Sequence, residues 1–243
     1  MILCNDVIIH ICEFISTSDL LSLSSTCSDF RSIILFDVHT MKNHTFTVLK
    51  EFNNLKFLEE IPFKIFNLRL QCNSISDEDF TFIRGIHKLD MRDCNQETIT
   101  DKAFENLKGI HTLNMSWCNQ KTITDKAFEN LKGIHTLDMS WCNQKWITDK
   151  AFENLKGIHS LNIRGCSHID RKGRRCKGIT DKAFENLKGI HTLDMSNCKQ
   201  RWITDKAFEN LKGIHILIMR DCNKETITDK AFENLKGIHT LRI

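Results

Sequence analysis

The sequence predicts an α/β solenoid: stacked coils with a parallel sheet on the concave face and short helices on the convex face, preceded by a small three-helix module. Three observations predict it. The string Ile-Thr-Asp-Lys-Ala-Phe-Glu-Asn-Leu-Lys-Gly-Ile-His occurs six times unchanged, beginning at Ile99, Ile123, Ile147, Ile179, Ile203 and Ile227, and a fixed period of this length signals a stacked array. Within each period the apolar spacing changes from helical to alternating. The first forty residues share none of this and hold one basic residue, Arg31, against five acidic ones, which leaves +7 on the rest of a chain whose formal net charge is +3. So uneven a charge marks two modules.

Within a unit, Thr124 offers a capping oxygen and Asp125 an early negative charge, Ala127, Phe128 and Leu131 supply helical spacing, and Gly133 falls where a left-handed C-terminal residue is needed. A helix of about two turns is expected. Ile134, then Leu137 and Met139 on either side of polar Asp138, marks a short strand. One unit cannot cover its own apolar side, so units must stack, with strands paired in parallel at roughly 4.8 Å. A diverged copy starts at Ile75, and Phe52-Asn53-Asn54-Leu55-Lys56 looks like the remains of an earlier one. About eight strands would then form a sheet roughly 35 Å across. The expected organisation is a helical module at 1–40, a linker with a degenerate first repeat at 41–75, and about seven 24-residue units at 76–243.

The pattern Leu113-x-Met115-x-x-Cys118, followed by Ile123, Ala127 and Leu131, resembles the cysteine-containing subclass of leucine-rich repeats over roughly residues 46–243. Six of the eleven cysteines (Cys94, Cys118, Cys142, Cys166, Cys198, Cys222) recur at the repeat interval. The resemblance implies that they point inward after the strand, reduced, with each S–H meeting a backbone carbonyl of the adjoining coil. The competing reading is a metal array of His111, His135 and their copies with Cys118, Cys142 and theirs. Those groups sit at opposite ends of a strand, seven residues apart, too far to share an ion at roughly 3.3 Å per residue. Cys166, His168 and Cys176 lack an evident fourth ligand, so no metal and no cofactor is expected.

In the N-terminal module, Val7, Ile8, Ile11, Phe14 and Ile15 predict a helix capped by Asn5 or Asp6. Ser18 can cap a second helix carrying Leu20, Leu21 and Leu23, and a third runs from Thr26 through Cys27, Phe30, Ile33 and Ile34. Leu3-Cys4-Asn5-Asp6, Ile8, Ile11, Phe14, Asp19-Leu20-Leu21-Ser22-Leu23 and Cys27-Ser28-Asp29-Phe30-Arg31 resemble an F-box. The family usually has Pro where Cys4 stands and often Trp where Phe30 stands. The resemblance implies docking onto a Skp1-type adaptor, and through it a cullin ubiquitin ligase, with Leu3, Ile8, Ile11, Phe14, Leu20, Leu21, Leu23, Cys27 and Phe30 as contacts. The chain would then be its non-catalytic substrate-recognition subunit. The alternative is a scaffold whose first forty residues only cap the solenoid.

A protein target would meet the positions that differ between copies. The outward strand column reads Asp90, Asn114, Asp138, Asn162, Asp194, Ile218 and Arg242, and the next reads Arg92, Ser116, Ser140, Arg164, Ser196 and Arg220. All four tryptophans, Trp117, Trp141, Trp146 and Trp202, fall in the same variable segment. They serve either as interface anchors or as gap fillers over the end of the sheet. One interval is longer because residues 167–178 replace a four-residue loop and bring Arg171, Lys172, Arg174, Arg175 and Lys177. Such a loop suits an acidic site on the target or a nuclear-import signal. Without interleaved aromatics it gives no expectation of nucleic-acid binding. Cys176 lacks a general base, so no catalytic residue is expected.

No apolar run reaches the length of a membrane span, and the N-terminus lacks the order of a secretory signal. An intracellular protein, in cytoplasm or nucleus and without membrane contact, is expected. The nearly pure copies, the single Pro and the Asn, Ile, Lys and Phe bias make it similar to F-box repeat proteins of large amoeba-infecting DNA viruses. The sequence finishes on Leu241-Arg242-Ile243, a strand without a polar cap, so a shortened chain or end-to-end association is expected.

Overall fold

A computed structural model describes residues 45–48, 54–56, 58, 67–71, 74–166, 178–222 and 225–243. The nine residues expected to contact an adaptor, from Leu3 to Phe30, and the insertion's Arg171, Lys172, Arg174, Arg175 and Lys177 lie outside them.

Among the described residues nine strands form one parallel sheet in sequence order: β1 Thr45–Val48, β2 Asn67–Leu70, β3 Lys88–Asp90, β4 Thr112–Asn114, β5 Thr136–Asp138, β6 Ser160–Asn162, β7 Thr192–Asp194, β8 Ile216–Ile218 and β9 Thr240–Arg242. This is one more strand than the repeat count predicts, because β1 and β2 form within the segment expected to be a linker with a degenerate repeat. A uniform register pairs the central leucines, for example Leu113 with Leu137 and Leu137 with Leu161. The register is the same across the insertion, where Leu161 pairs with Leu193. The eight extra residues leave the stack of coils undisturbed.

Three-residue strands present one inward side chain each, a leucine between two half-exposed neighbours. Behind the sheet, Phe80, Phe104, Phe128, Phe152, Phe184 and Phe208 are fully buried and form a continuous ladder with Ile, Ala and Leu of the same coils. Deleting such a ring costs about 3–5 kcal/mol.

The helices are shorter than expected. Asp125–Phe128 is one α-helical turn, prolonged by a 3-10 turn at Glu129–Leu131, and the equivalent stretch Ala103–Leu107 is 3-10 throughout. Lys132 is already extended (φ −56°, ψ 127°) and Gly133 follows at φ +82°, which turns the chain back to the strand. Strands sit about 4.8 Å apart whereas packed α-helices need 8–10 Å. Short, narrow helical turns keep the splay between coils small.

A side-chain ladder fastens the convex edge. Thr124 caps its helix by accepting from Lys126 N–H, as predicted. Asp125 does more than oppose the helix dipole: its carboxylate accepts the backbone N–H and the hydroxyl of Thr148 in the next coil, both at 2.7 Å. The arrangement repeats from Asp77 with Thr100 to Asp205 with Thr228. Adjacent coils are thereby joined by charge-assisted bonds.

Candidate functional site

The variable positions gather where strands end on the concave rim. At the end of β4, Asn114 Oδ1 accepts from Ser116 N–H at 3.0 Å, and Asp138, Asn162 and Asp194 do the same for Ser140, Arg164 and Ser196. The Asp and Asn column therefore closes a side-chain turn as well as facing outward. Alternation of Asp with Asn keeps like charges apart and lets Asn162 Nδ2 donate to Asp138 Oδ2 at 3.1 Å. Ile218 cannot make this turn, and the Arg220 N–H donates instead to Ser196 Oγ at 3.3 Å.

The next column is not uniformly a surface. Arg92, Arg164 and Arg220 are exposed, but Ser116, Ser140 and Ser196 are buried, at 7%, 7% and 2% exposure. These short side chains are covered, so the three serines support the rim rather than present a face to a target. Arg92 is tied back to Asp90, with contacts of 2.8–3.1 Å, while Arg69 reaches the same carboxylate at 3.0 Å. Burial pulls the Asp90 carboxyl upward, but the hydrogen bonds and charge of Arg92, with Arg69, outweigh it and hold it below the usual range.

One residue further on, the backbone turns inward so that the cysteine beyond can enter the core. This residue has positive φ in every such coil: Asp93 59°, Trp117 61°, Trp141 59°, Gly165 69°, Asn197 57° and Asp221 55°. Asp, Asn and Gly are the residues that tolerate this region. A tryptophan held there is strained by roughly 1–2 kcal/mol, so the four tolerant residues show what the fold requires and the two indoles are an addition to it. Nothing in the backbone calls for them: Trp117 and Gly165 donate the same inter-coil bond, to Ser140 O at 2.9 Å and to Ser196 O at 2.8 Å.

The two indoles stack, with centroids 5.1 Å apart and planes inclined by 18°. Trp141 lies on Gly165 so closely that a Cβ there would meet its ring carbons at 2.4–2.8 Å. Trp117, at the other end of the stack, is 47% exposed. Trp146 and Trp202 stand where Thr122 makes a hydroxyl bond to Ile99 O, and their rings are covered by the chain's own cations: Lys145 Nζ at 4.3 Å from Trp146 and Arg201 at 4.5 Å from Trp202. Trp146 is 48% exposed, and half-buried Trp202 has an indole N–H without an acceptor among the described residues.

At the opposite end of the strands the histidines stack. From His87 through His111, His135, His159, His191 and His215 to His239, successive rings lie 4.5–4.6 Å apart. Desolvation first, and then neighbouring cationic groups, mainly the adjacent histidines, lower the pKa of His111, His135 and His191. The cysteines occupy the inward position. Cys118, Cys142 and Cys166 donate to Met91, Met115 and Met139 O at 3.0–3.1 Å. Burial pushes the Cys118 and Cys166 thiols up to about 12, and that of Cys222 up to about 11. Thiolate chemistry is thereby suppressed. Among the described residues no three His, Cys, Asp or Glu side chains form a metal-binding group, and no helix is long and apolar enough to cross a membrane.

The Asp and Asn column, the exposed arginines and the stacked Trp117 and Trp141 thus lie together where the strands end, whereas the serines of the second column are buried and Trp146 and Trp202 stand farther along the coil, just before the helical turn. The left-handed column was legible in the sequence, since Asp93, Gly165, Asn197 and Asp221 share one register; the stacking of the histidines follows from their exact period. The backbone bond of each Asp with the next coil's Thr had no signal within a single unit.

Comparison with known proteins agrees with this architecture. The BspA type leucine-rich repeat region family matches residues 50–173 and 168–243, in six copies, and the F-box domain family matches residues 1–37. The matching repeat family is thus the BspA type, where the sequence resemblance was to the cysteine-containing subclass. No curated protein matches the chain. Among solved structures it is similar to a chain of the Toll–Spatzle complex of Drosophila in its glycosylated form (TM-score 0.62, 10% identity, 82% of this chain and 27% of that one). It is also similar to chains of the mouse RP105/MD-1 complex (0.59, 16%, 81% and 33%) and of the Rad7 and Elc1 complex in yeast (0.54, 16%, 88% and 57%). At such identities the likeness is one of fold, and this chain spans between about a quarter and somewhat over half the length of those chains. With the repeat family matched over most of its length and an F-box domain matched ahead of it, the chain belongs to the BspA-type leucine-rich repeat proteins.

Proposed function

We propose that this chain is the non-catalytic substrate-recognition subunit of a Skp1-cullin-F-box type ubiquitin ligase, with the F-box holding the adaptor and the concave rim of the repeats holding a protein target. The observation that carries the reading is the order of the two matched families: an F-box at 1–37 is followed directly by a repeat array. The array keeps its coil-building block constant while its strand ends vary, which is the division of labour expected of a scaffold that displays a binding surface. Leu3, Ile8, Ile11, Phe14, Leu20, Leu21, Leu23, Cys27 and Phe30 are the proposed adaptor contacts. On the target side the exposed Arg92, Arg164 and Arg220, the Asp and Asn column and the tryptophans are the proposed contacts, with the basic insertion beside them in sequence. The site of action is intracellular, in cytoplasm or nucleus, and in a host cell if the gene is viral.

Affinity purification of the whole chain beside a Leu20→Asp, Leu21→Asp double variant tests this. The wild type should bring down a Skp1-type adaptor and a cullin, and the double variant should lose both while keeping its target. Equal recovery of the adaptor, or no adaptor with either protein, would overturn the reading and leave an interaction scaffold whose N-terminal residues only cap the solenoid.

A further inference from the structure

The indole stack on the rim ends in an open face. Trp141 rests on Gly165, Trp117 rests on Trp141, and the outer face of Trp117 looks toward the preceding coil, where the same column holds Asp93. Asp93 is exposed, and its carboxylate makes no ion pair among the described residues. The other two indoles are covered by Lys145 and Arg201 of the chain itself; no cation of the described residues covers Trp117.

We propose that the face of Trp117, with the carboxylate of Asp93 beside it, is a seat for an arginine side chain of the target protein. A planar guanidinium lies flat on an indole and offers its N–H edge to a carboxylate in the same plane, a pairing that a lysine ammonium or an apolar side chain cannot reproduce. The strain of holding two tryptophans at positive φ serves this seat: Trp141 on the Gly165 floor sets the height and tilt of Trp117, so the receiving face is fixed before the ligand arrives. Arg92 has its guanidinium edge bound to Asp90, and Asp93 acts on it only as a weaker, more distant charge.

This inference rests on the rim being the target-binding surface, but not on the adaptor, and its test uses the isolated full chain. N-acetyl-arginine amide is titrated against the indole N–H resonances, with N-acetyl-citrulline amide, of the same shape but neutral, and N-acetyl-leucine amide as comparisons. The arginine compound should shift the Trp117 resonance and bind five- to tenfold more tightly than citrulline, a difference of about 1–1.4 kcal/mol. Trp117→Asn, which uses the residue that stands at position 197 of the same column, should abolish the response without lowering the melting temperature, and Asp93→Asn should weaken it about threefold. Equal binding of arginine and citrulline, preference for the leucine compound, or a marked drop in melting temperature on Trp117→Asn would overturn the assignment. None of these outcomes bears on adaptor recovery by the Leu20 and Leu21 variant.

Discussion

Gly165→Ala probes the physical link between backbone conformation and the indole stack. Gly165 sits at φ +69°, and a Cβ built on it would stand 2.4 Å, 2.6 Å and 2.8 Å from three carbons of the Trp141 ring. Two costs follow. A non-glycine residue in the left-handed region loses about 1–2 kcal/mol, and pushing Trp141 off its floor forfeits aromatic stacking of about 0.5–1.5 kcal/mol. The sum is about 1.5–3.5 kcal/mol, which for an array of this size is a fall of roughly 3–14 °C in melting temperature. Chemical and thermal denaturation followed by circular dichroism should read it. A double-mutant cycle separates the two parts: in a Trp141→Asn background the ring is gone, so Gly165→Ala should cost only the conformational part. A coupling of about 1 kcal/mol should remain. Equal losses in both backgrounds would refute the packing of Trp141 on Gly165 and, with it, the argument that the indoles are positioned by that floor.

Three further outcomes are expected. Asp125→Ala removes both acceptors of Thr148 and should destabilise the chain by about 2–3 kcal/mol, whereas Glu129→Ala on the exposed convex face should change the midpoint by less than about 0.5 kcal/mol. Iodoacetamide at pH 8 should leave Cys118 and Cys166 unmodified in the folded chain and label them after denaturation, because their thiols are pushed up to about 12; rapid native labelling would contradict the buried ladder. Stability should fall as pH drops below about 6.5: the lowered pKa values of His111, His135 and His191 mean that the unfolded chain binds protons first. The contribution of these rings is fully present above that pH and is lost through the folded pKa values. His135→Gln should flatten the melting-temperature profile between pH 7.5 and 5.5, and an unchanged slope would exclude the histidines as its source.

Much of this molecule was legible because the sequence repeats its own experiment. Leu137, Ala127, Phe128 and Gly133 recur unchanged, so the period alone implies a coil, an inward leucine and a turn that needs positive φ. The inward cysteines were equally legible, since a small apolar residue at a fixed interval after a strand has few other places to go. The helix length was misjudged: helical spacing over eight residues suggested two turns, but the stacking distance between coils compresses it to one α turn and a 3-10 extension. The serines of the second rim column looked outward by alternation, yet the side-chain turn made by Asn114, Asp138 and Asp194 interrupts the strand before they are reached.

By itself the sequence determined the solenoid, its parallel sheet, the reduced cysteine ladder and the rim on which variation collects, because each follows from one period imposed on apolar spacing. Only the tertiary structure decided which rim residues are available. Whether Ser116 is a surface and whether Trp117 has a free face depend on the coil above and the coil below, that is, on contacts between residues 24 positions apart. The backbone sign at Trp117 and the floor that Gly165 gives Trp141 arise from that stacking, and no single unit contains them.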